Sequence, residues 1–198
     1  MVYNLDANNM KKMLLLVACA AMFGVSCSNK TAPVSGDKEI EAICSGPEYR
    51  TNAKYIRASA NGLSGDMDFA KTKAWNSAST RLAESVSQLV KTVTSKYVKD
   101  YQVEENTEFA QKMEQMTVTA AKEKLSGVRV ICERTFQTPE GKYRVHMALE
   151  LAGDELLQSA SKKAEEVIKN ETKLRIDYDY EKYKKIFEEE MKKLEGQY

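Results

Sequence analysis

The sequence predicts an α+β fold in which a small antiparallel sheet packs on long helices, in the order β-α-α-β-β-α. Three observations carry this expectation. Apolar residues recur at helical spacing from Ala74 to Tyr97. The period changes to two on both sides of Pro139-Glu140-Gly141. The prolines Pro33, Pro47 and Pro139 all fall outside the long periodic runs, so they punctuate elements and do not break them.

The elements follow in order. Lys54 to Asn61, with Tyr55, Ile56 and Ala58 among small residues, predicts a first strand. Asp66 is placed to cap a helix of roughly 35 residues, or ~50 Å. Its stripe runs Ala74, Ala78, Leu82, Val86, Leu89, Val93 and Tyr97, with Trp75 beside it and expected in the core. A second helix is expected from about Glu105 to Leu125, with Phe109, Met113, Met116 and Ala120 inward. Two antiparallel helices would return the chain so that the second strand runs antiparallel to the first.

Past Gly127, Val128, Val130, Cys132 and Phe136 alternate with Arg129, Ile131, Glu133 and Thr135. After the turn, Tyr143, Val145, Met147, Leu149 and Leu151 alternate with Arg144, His146, Ala148 and Glu150. Two such runs around a Pro/Gly turn predict a β-hairpin with the first set of each facing the core. Asp154 is placed to cap the last helix, whose inner positions include Leu157, Ala160, Ala164, Val167 and Ile168. A long C-terminal helix continues, but its stripe shifts. Val167, Leu174 and Tyr178 are offset by about two residues from Tyr180, Tyr183, Phe187, Met191 and Leu194, so the helix must bend, break or turn its face near Asp177.

The N-terminus has a different character. Lys11 and Lys12 precede thirteen apolar or small residues, Met13 to Val25, and then Ser26-Cys27. A basic flank, a short apolar stretch and small residues at its end describe a secretory signal. Thirteen residues cover ~20 Å, too short for a ~30 Å hydrocarbon core. Small residues followed by Cys resemble the lipobox of bacterial lipoproteins, in which the Cys is diacylated and becomes the first mature residue. Cys27 is the lipidation site this implies. Leu16-Val17-Ala18-Cys19 fits the letters better but leaves only about six apolar residues after the lysines, fewer than a signal needs. A plain cleaved signal with a spare Cys is the alternative. The expected organisation is a signal over 1–26, a flexible polar tether over 27–40 and a single α+β domain over 41–198.

Arg57-Ala58-Ser59-Ala60-Asn61-Gly62, followed by Ser64, Asp66 and an Ala-rich helix, resembles a family of bacterial outer-membrane lipoproteins. The family is named for a twenty-kilodalton membrane-associated lipoprotein (Lpp-twenty type). Leu125-Ser126-Gly127-Val128-Arg129-Val130-Ile131-Cys132 and Gly141-Lys142-Tyr143-Arg144-Val145 resemble its second and third strands. The likeness covers roughly Ala42 to Leu156. Ala60 stands where family members often carry a glycine. The resemblance implies a lipid-anchored α+β domain at the outer membrane of a Gram-negative bacterium, with no family-wide enzyme activity.

Composition narrows the function classes. Thirty Lys and Arg against 29 Asp and Glu lack the basic excess of a general nucleic-acid binder. Removing residues 1–26 leaves 28 of each sign. One histidine and four cysteines leave little for a histidine-based site or a zinc cluster, and no cofactor or metal is expected. His146 shares a face with Arg144 and Glu150, the pattern of a solvated sheet surface. Asp66-Met67-Asp68 and Asp177-Tyr178-Asp179 lack the spacing of a calcium loop and suit helix capping. Asn170-Glu171-Thr172 matches a glycosylation acceptor in letters only.

With Cys27 lipidated, Cys44 and Cys132 remain in the domain. An oxidising compartment allows them to pair, while a buried free thiol at Cys132 is the competing reading. The C-terminal stripe Tyr180, Tyr183, Phe187, Met191 and Leu194 either completes the domain's own core or is an interaction surface for a second copy or an envelope protein. The preferred expectation is a non-enzymatic structural or interaction module held at the membrane by its lipid. The alternative is a carrier that binds an apolar or peptide ligand using Trp75, Tyr97 and Phe136. A hydrolase with an unfamiliar site is a third reading.

Overall fold

The computed structural model describes residues 42–100, 107–171 and 177–195. Cys27, the tether and Leu174 lie outside them. The order is β1 (Tyr55–Ser64), α1 (Met67–Asp100), α2 (Thr107–Glu123), β2 (Arg129–Gln137), β3 (Tyr143–Ala152), α3 (Gly153–Lys169) and α4 (Tyr180–Leu194). Short 3-10 turns occur at Pro47–Tyr49 and Lys124–Gly127. The α+β class and the order of elements are those the sequence predicts.

The sheet is antiparallel with strand order β1-β3-β2. β3 pairs with both neighbours, so β1 and β2 point the same way and do not touch. This corrects the expectation that the second strand opposes the first. The cause is length. At ~1.5 Å per helical residue and ~3.3 Å per strand residue, α1 spans ~50 Å against ~33 Å for β1. It therefore runs past the end of the sheet. α2 packs back on that overhang and on α3, not across the strands, and delivers the chain to the sheet already heading along β1.

α1 starts where Asp66 Oδ1 accepts the Phe69 N–H at 2.7 Å, the expected cap. Asp154 differs: α3 begins one residue earlier, at Gly153, and Asp154 lies in its first turn. The first half of α1 lays Ala70, Ala74, Ala78 and Leu82 on Ile56 and Ala58 of β1 and on Val145, Met147 and Leu149 of β3. This run of small residues brings the helix so close that a Cβ on Gly62 would collide with the backbone of Ala70 and Ala74. Gly62 is thus a packing glycine inside β1 and not the element boundary its sequence position suggests. Gly62→Ala should destabilise the domain by ~1–3 kcal/mol through overpacking, read as a lower urea midpoint.

Trp75 is 37% exposed, which corrects its expected burial. One residue turns the helix by ~100°, so the neighbour of a core-facing Ala74 projects off the side of the interface.

The hairpin forms over the expected residues, but β2 carries a bulge. Val130 pairs with Leu149, whereas Cys132 pairs with Ala148. The extra residue, Ile131, exchanges the two faces from there on. Cys132 and Phe136 therefore lie on the sheet's outer face, away from α1, and Glu133 lies on the helix side, where it pairs with Lys71 at 2.9 Å. Phe136 is 44% exposed and not in the core. Val130 keeps the inner face yet is exposed, because α1 covers β1 and β3 but not β2.

The overhanging half of α1 forms a helical core with α2, α3 and α4. Buried hydroxyls are paired within it. Thr94 Oγ1 lies 3.0 Å from Thr117 Oγ1 and 3.2 Å from the Tyr183 hydroxyl. Tyr97 packs edge-on against Tyr183, and its hydroxyl accepts the Asp179 N–H at 2.8 Å. Burial pushes the Tyr183 hydroxyl up to about 12, against the opposing hydrogen bond with Thr94, so it stays protonated. As the stripe offset foretold, the C-terminal helix is interrupted: residues 177–179 are not helical, and Asp179 caps α4 by accepting the Lys182 N–H at 3.0 Å.

Candidate functional site

The sheet's outer face carries a concentration of polar chemistry. Residues 42–52 cross this face as a strap. At one end Cys44 is joined to Cys132 of β2 by a disulfide with Cα atoms 5.6 Å apart, and Cys44 is itself buried. At the other end, Thr51 is buried against the free edge of β1. Its hydroxyl accepts the Arg57 N–H at 3.0 Å and donates to the Arg57 carbonyl at 3.3 Å.

Between these ends lies Glu150, a carboxylate on β3 only 6% exposed. Arg57 donates through Nε and Nη2 to its Oε2 at 2.8 and 2.6 Å. Arg129 donates to Oε1 at 2.9 Å. Arg57 Nη1 also reaches the carbonyls of Glu48 and Arg50, both at 3.1 Å. The Tyr55 ring lies under both guanidinium groups. Arg57 and Arg129 face Glu150 across the ladder on opposite sides, which the register requires. Each carboxylate oxygen is hydrogen-bonded, so Glu150 fixes Arg57, the residue that grips the strap.

His146 lies on the same face with its ring edge-on to Phe136, centroids 5.8 Å apart. Burial and then the Arg144 charge push its pKa down, leaving it neutral near pH 7. Among the described residues no carboxylate, hydroxyl or thiol hydrogen-bonds the ring, the support a general base requires. No group of three or more His, Cys, Asp or Glu among the described residues is arranged to hold a metal ion.

The C-terminal stripe does not form a free surface. Tyr183, Phe187 and Met191 are buried among the chain's own helices, and Leu194 packs against them. The interaction reading of this stripe is therefore corrected. α4 has to cover the overhang of α1, which the sheet cannot reach. Only Tyr180 stays exposed. At the rim, Glu190 takes Lys96 and Lys193 on one oxygen, each at 2.6 Å. Burial works against its charge, but these two hydrogen bonds prevail and hold its pKa below the ordinary value.

Nor do the three aromatics of the carrier reading meet. Tyr97 is inside the helical core, Trp75 is on the flank of α1 and Phe136 is on the opposite sheet face. One surface groove of about 820 Å3, lined by Glu84, Lys91, Glu114 and Lys122, runs between α1 and α2. Another of about 760 Å3 lies at the β3–α3 junction, with Arg129, Asp154 and Lys184 among its walls. Neither is lined by any of the three aromatics.

Sequence reasoning missed Glu150 and Thr51. Glu150 carried the alternation of a solvated face, and the spacing of 93 residues between it and Arg57 leaves no local signal. Among the described residues, no helix is long and apolar enough to cross a membrane. No protein-family model, curated protein or solved structure matches the chain.

Proposed function

We propose that this protein is a lipid-anchored cell-envelope module of the Lpp-twenty type, held by Cys27 at the outer membrane of a Gram-negative bacterium and acting as a structural or interaction protein without catalysis. The observation that carries the reading is the N-terminal sequence: Lys11-Lys12, the apolar run Met13 to Val25, then Ser26-Cys27. Two features of the folded domain support it. The Cys44–Cys132 pair suits an oxidising compartment outside the cytoplasm. The strap is fastened to β2 by the bridge to Cys132 and to β1 by Arg57, which Glu150 of β3 holds in turn, so a pull on the tether would be borne by the sheet.

Fatty-acid labelling tests the reading. The wild type should incorporate an alkyne-tagged fatty acid and sediment with membranes, while Cys27→Ser should be unlabelled and released. One acyl chain holds a protein only marginally, so retention requires the several chains a lipoprotein carries. Label persisting in Cys27→Ser but lost in Cys19→Ser would move the anchor eight residues upstream. Label in neither wild type nor variant would end the lipoprotein reading.

A further inference from the structure

An open sheet has two edges, and this protein treats them differently. On β1 both outward groups of Tyr55 and Arg57 and the outward carbonyls of Ser59 and Leu63 are occupied. Thr51 takes both groups of Arg57, and Asn52 takes both groups of Tyr55, each at 3.0 Å. Arg81 donates to the Ser59 carbonyl at 2.9 Å and Lys73 to that of Leu63 at 3.3 Å. Such cover is how natural sheets prevent edge-to-edge pairing.

β2 has no such cover among the described residues. Because the odd-numbered residues of β1 turn their backbone groups outward, the even-numbered residues of β3 bond to β2. Their partners are Arg129, Cys132, Arg134 and Phe136. Glu133, Thr135 and Gln137 must then turn their N–H and C=O groups to the open side. Every residue from Glu133 to Gln137 is exposed. The bulge at Ile131 lies before this stretch, so the five residues are regular strand.

We propose that this edge pairs antiparallel with the same edge of a second copy, about a two-fold axis through Thr135 that stands perpendicular to the sheet. The pairing deepens the interaction-module reading above, although the pairing itself does not depend on the lipid. In this register Thr135 faces Thr135, Glu133 faces Gln137, and Arg134 faces Phe136. These are a hydroxyl pair, a hydrogen-bonding pair and a cation over an aromatic ring, all on matching faces. Centring on Arg134 would set two guanidinium groups opposite each other, which disfavours that neighbouring register. Centring on Phe136 would pair only Thr135 with Gln137 and leave Glu133 beyond the partner strand, about four backbone hydrogen bonds in place of six. About six backbone hydrogen bonds join the copies into a six-stranded sheet.

The symmetry has a consequence for the anchor. A two-fold axis perpendicular to the sheet keeps outer face with outer face. Both Cys44–Cys132 bridges, and with them both straps, then lie on one side, as two tethers entering the same bilayer would. Confinement to that bilayer would raise the effective concentration and favour a pairing that the edge itself encodes.

The full-length chain in envelope membranes carries the test. Directly opposed, hydrogen-bonded residues have Cα atoms ~5.5 Å apart, inside the range a disulfide bridges. Thr135→Cys should give a dimer on a non-reducing gel that disappears on reduction. Glu133→Cys and Gln137→Cys should each cross-link at least about tenfold less alone and reach about half the Thr135→Cys yield when co-expressed, because random pairing makes about half of the dimers mixed. Peptide mapping that finds Cys44 still bonded to Cys132 establishes that the variants are folded. Thr135→Pro, tolerated where an edge N–H faces outward, should abolish the co-expressed cross-link without unfolding the domain. Absence of dimer at Thr135, or equal cross-linking at all three positions, would overturn the proposal. Acyl labelling of the same samples separates the two readings, since a lost label with retained cross-linking indicts the anchor and the converse indicts the edge.

Discussion

Ending the chain at Asp177 should abolish cooperative folding. The deleted segment carries Tyr183, Ile186, Phe187 and Met191, all buried. Each such side chain contributes ~1.5–3 kcal/mol when fully removed from water, so together they rival the ~5–15 kcal/mol that holds a typical domain together. The loss also uncovers Tyr97 on the overhang of α1 and removes one of the two hydroxyl partners of Thr94. Thermal melts followed by circular dichroism should show a broad transition without a defined Tm, with much of the helical signal lost. An unchanged Tm would return α4 to the role of a free interaction helix.

The second large effect belongs to the bridge. Cys44 and Cys132 are 88 residues apart, so the disulfide closes a long loop in the unfolded chain. Loop entropy sets an upper value of ~4.5 kcal/mol, and ~2–4 kcal/mol is typical. Cys44→Ser together with Cys132→Ser should lower Tm by ~10 °C in a domain of this size. Because Arg57 and Thr51 hold the other end of the strap, the variant should still fold, and limited proteolysis should first cut between residues 42 and 50. A shift under ~1 °C would mean that the strap contributes little to stability.

The sequence made some of this structure legible and concealed the rest for physical reasons. The α1 stripe from Ala74 to Tyr97 and the inward set of β3 could be found because periodicity reports which face is buried. The break near Asp177 showed itself as a two-residue offset between stripes. Periodicity also misled at one point: a single extra residue at Ile131 reverses the faces of Cys132 and Phe136, and no residue type there announces the bulge. Strand order escaped because it depends on α1 being longer than the sheet it covers, a comparison between elements and not within one. Trp75 was drawn toward the core by its chemistry, although its angular position placed it at the edge. The strap was the least legible part. Its grip rests on Cys44–Cys132, on Thr51 bonded to Arg57, and on Arg57 reaching Glu150, contacts that form only once the sheet has assembled.

In the proposed function the load would enter through residues 42–52, and in the proposed pairing the exposed edge of β2 would meet a second copy. Lipid anchoring at Cys27 requires the mature chain to begin at that residue. Mass spectrometry of the protein extracted from envelope membranes and cut with trypsin addresses that directly. The expected result is an N-terminal peptide of Cys27 to Lys30 carrying the mass of its acyl chains. An unmodified N-terminus at any residue, or a peptide running uncleaved through Ser26-Cys27, would contradict it.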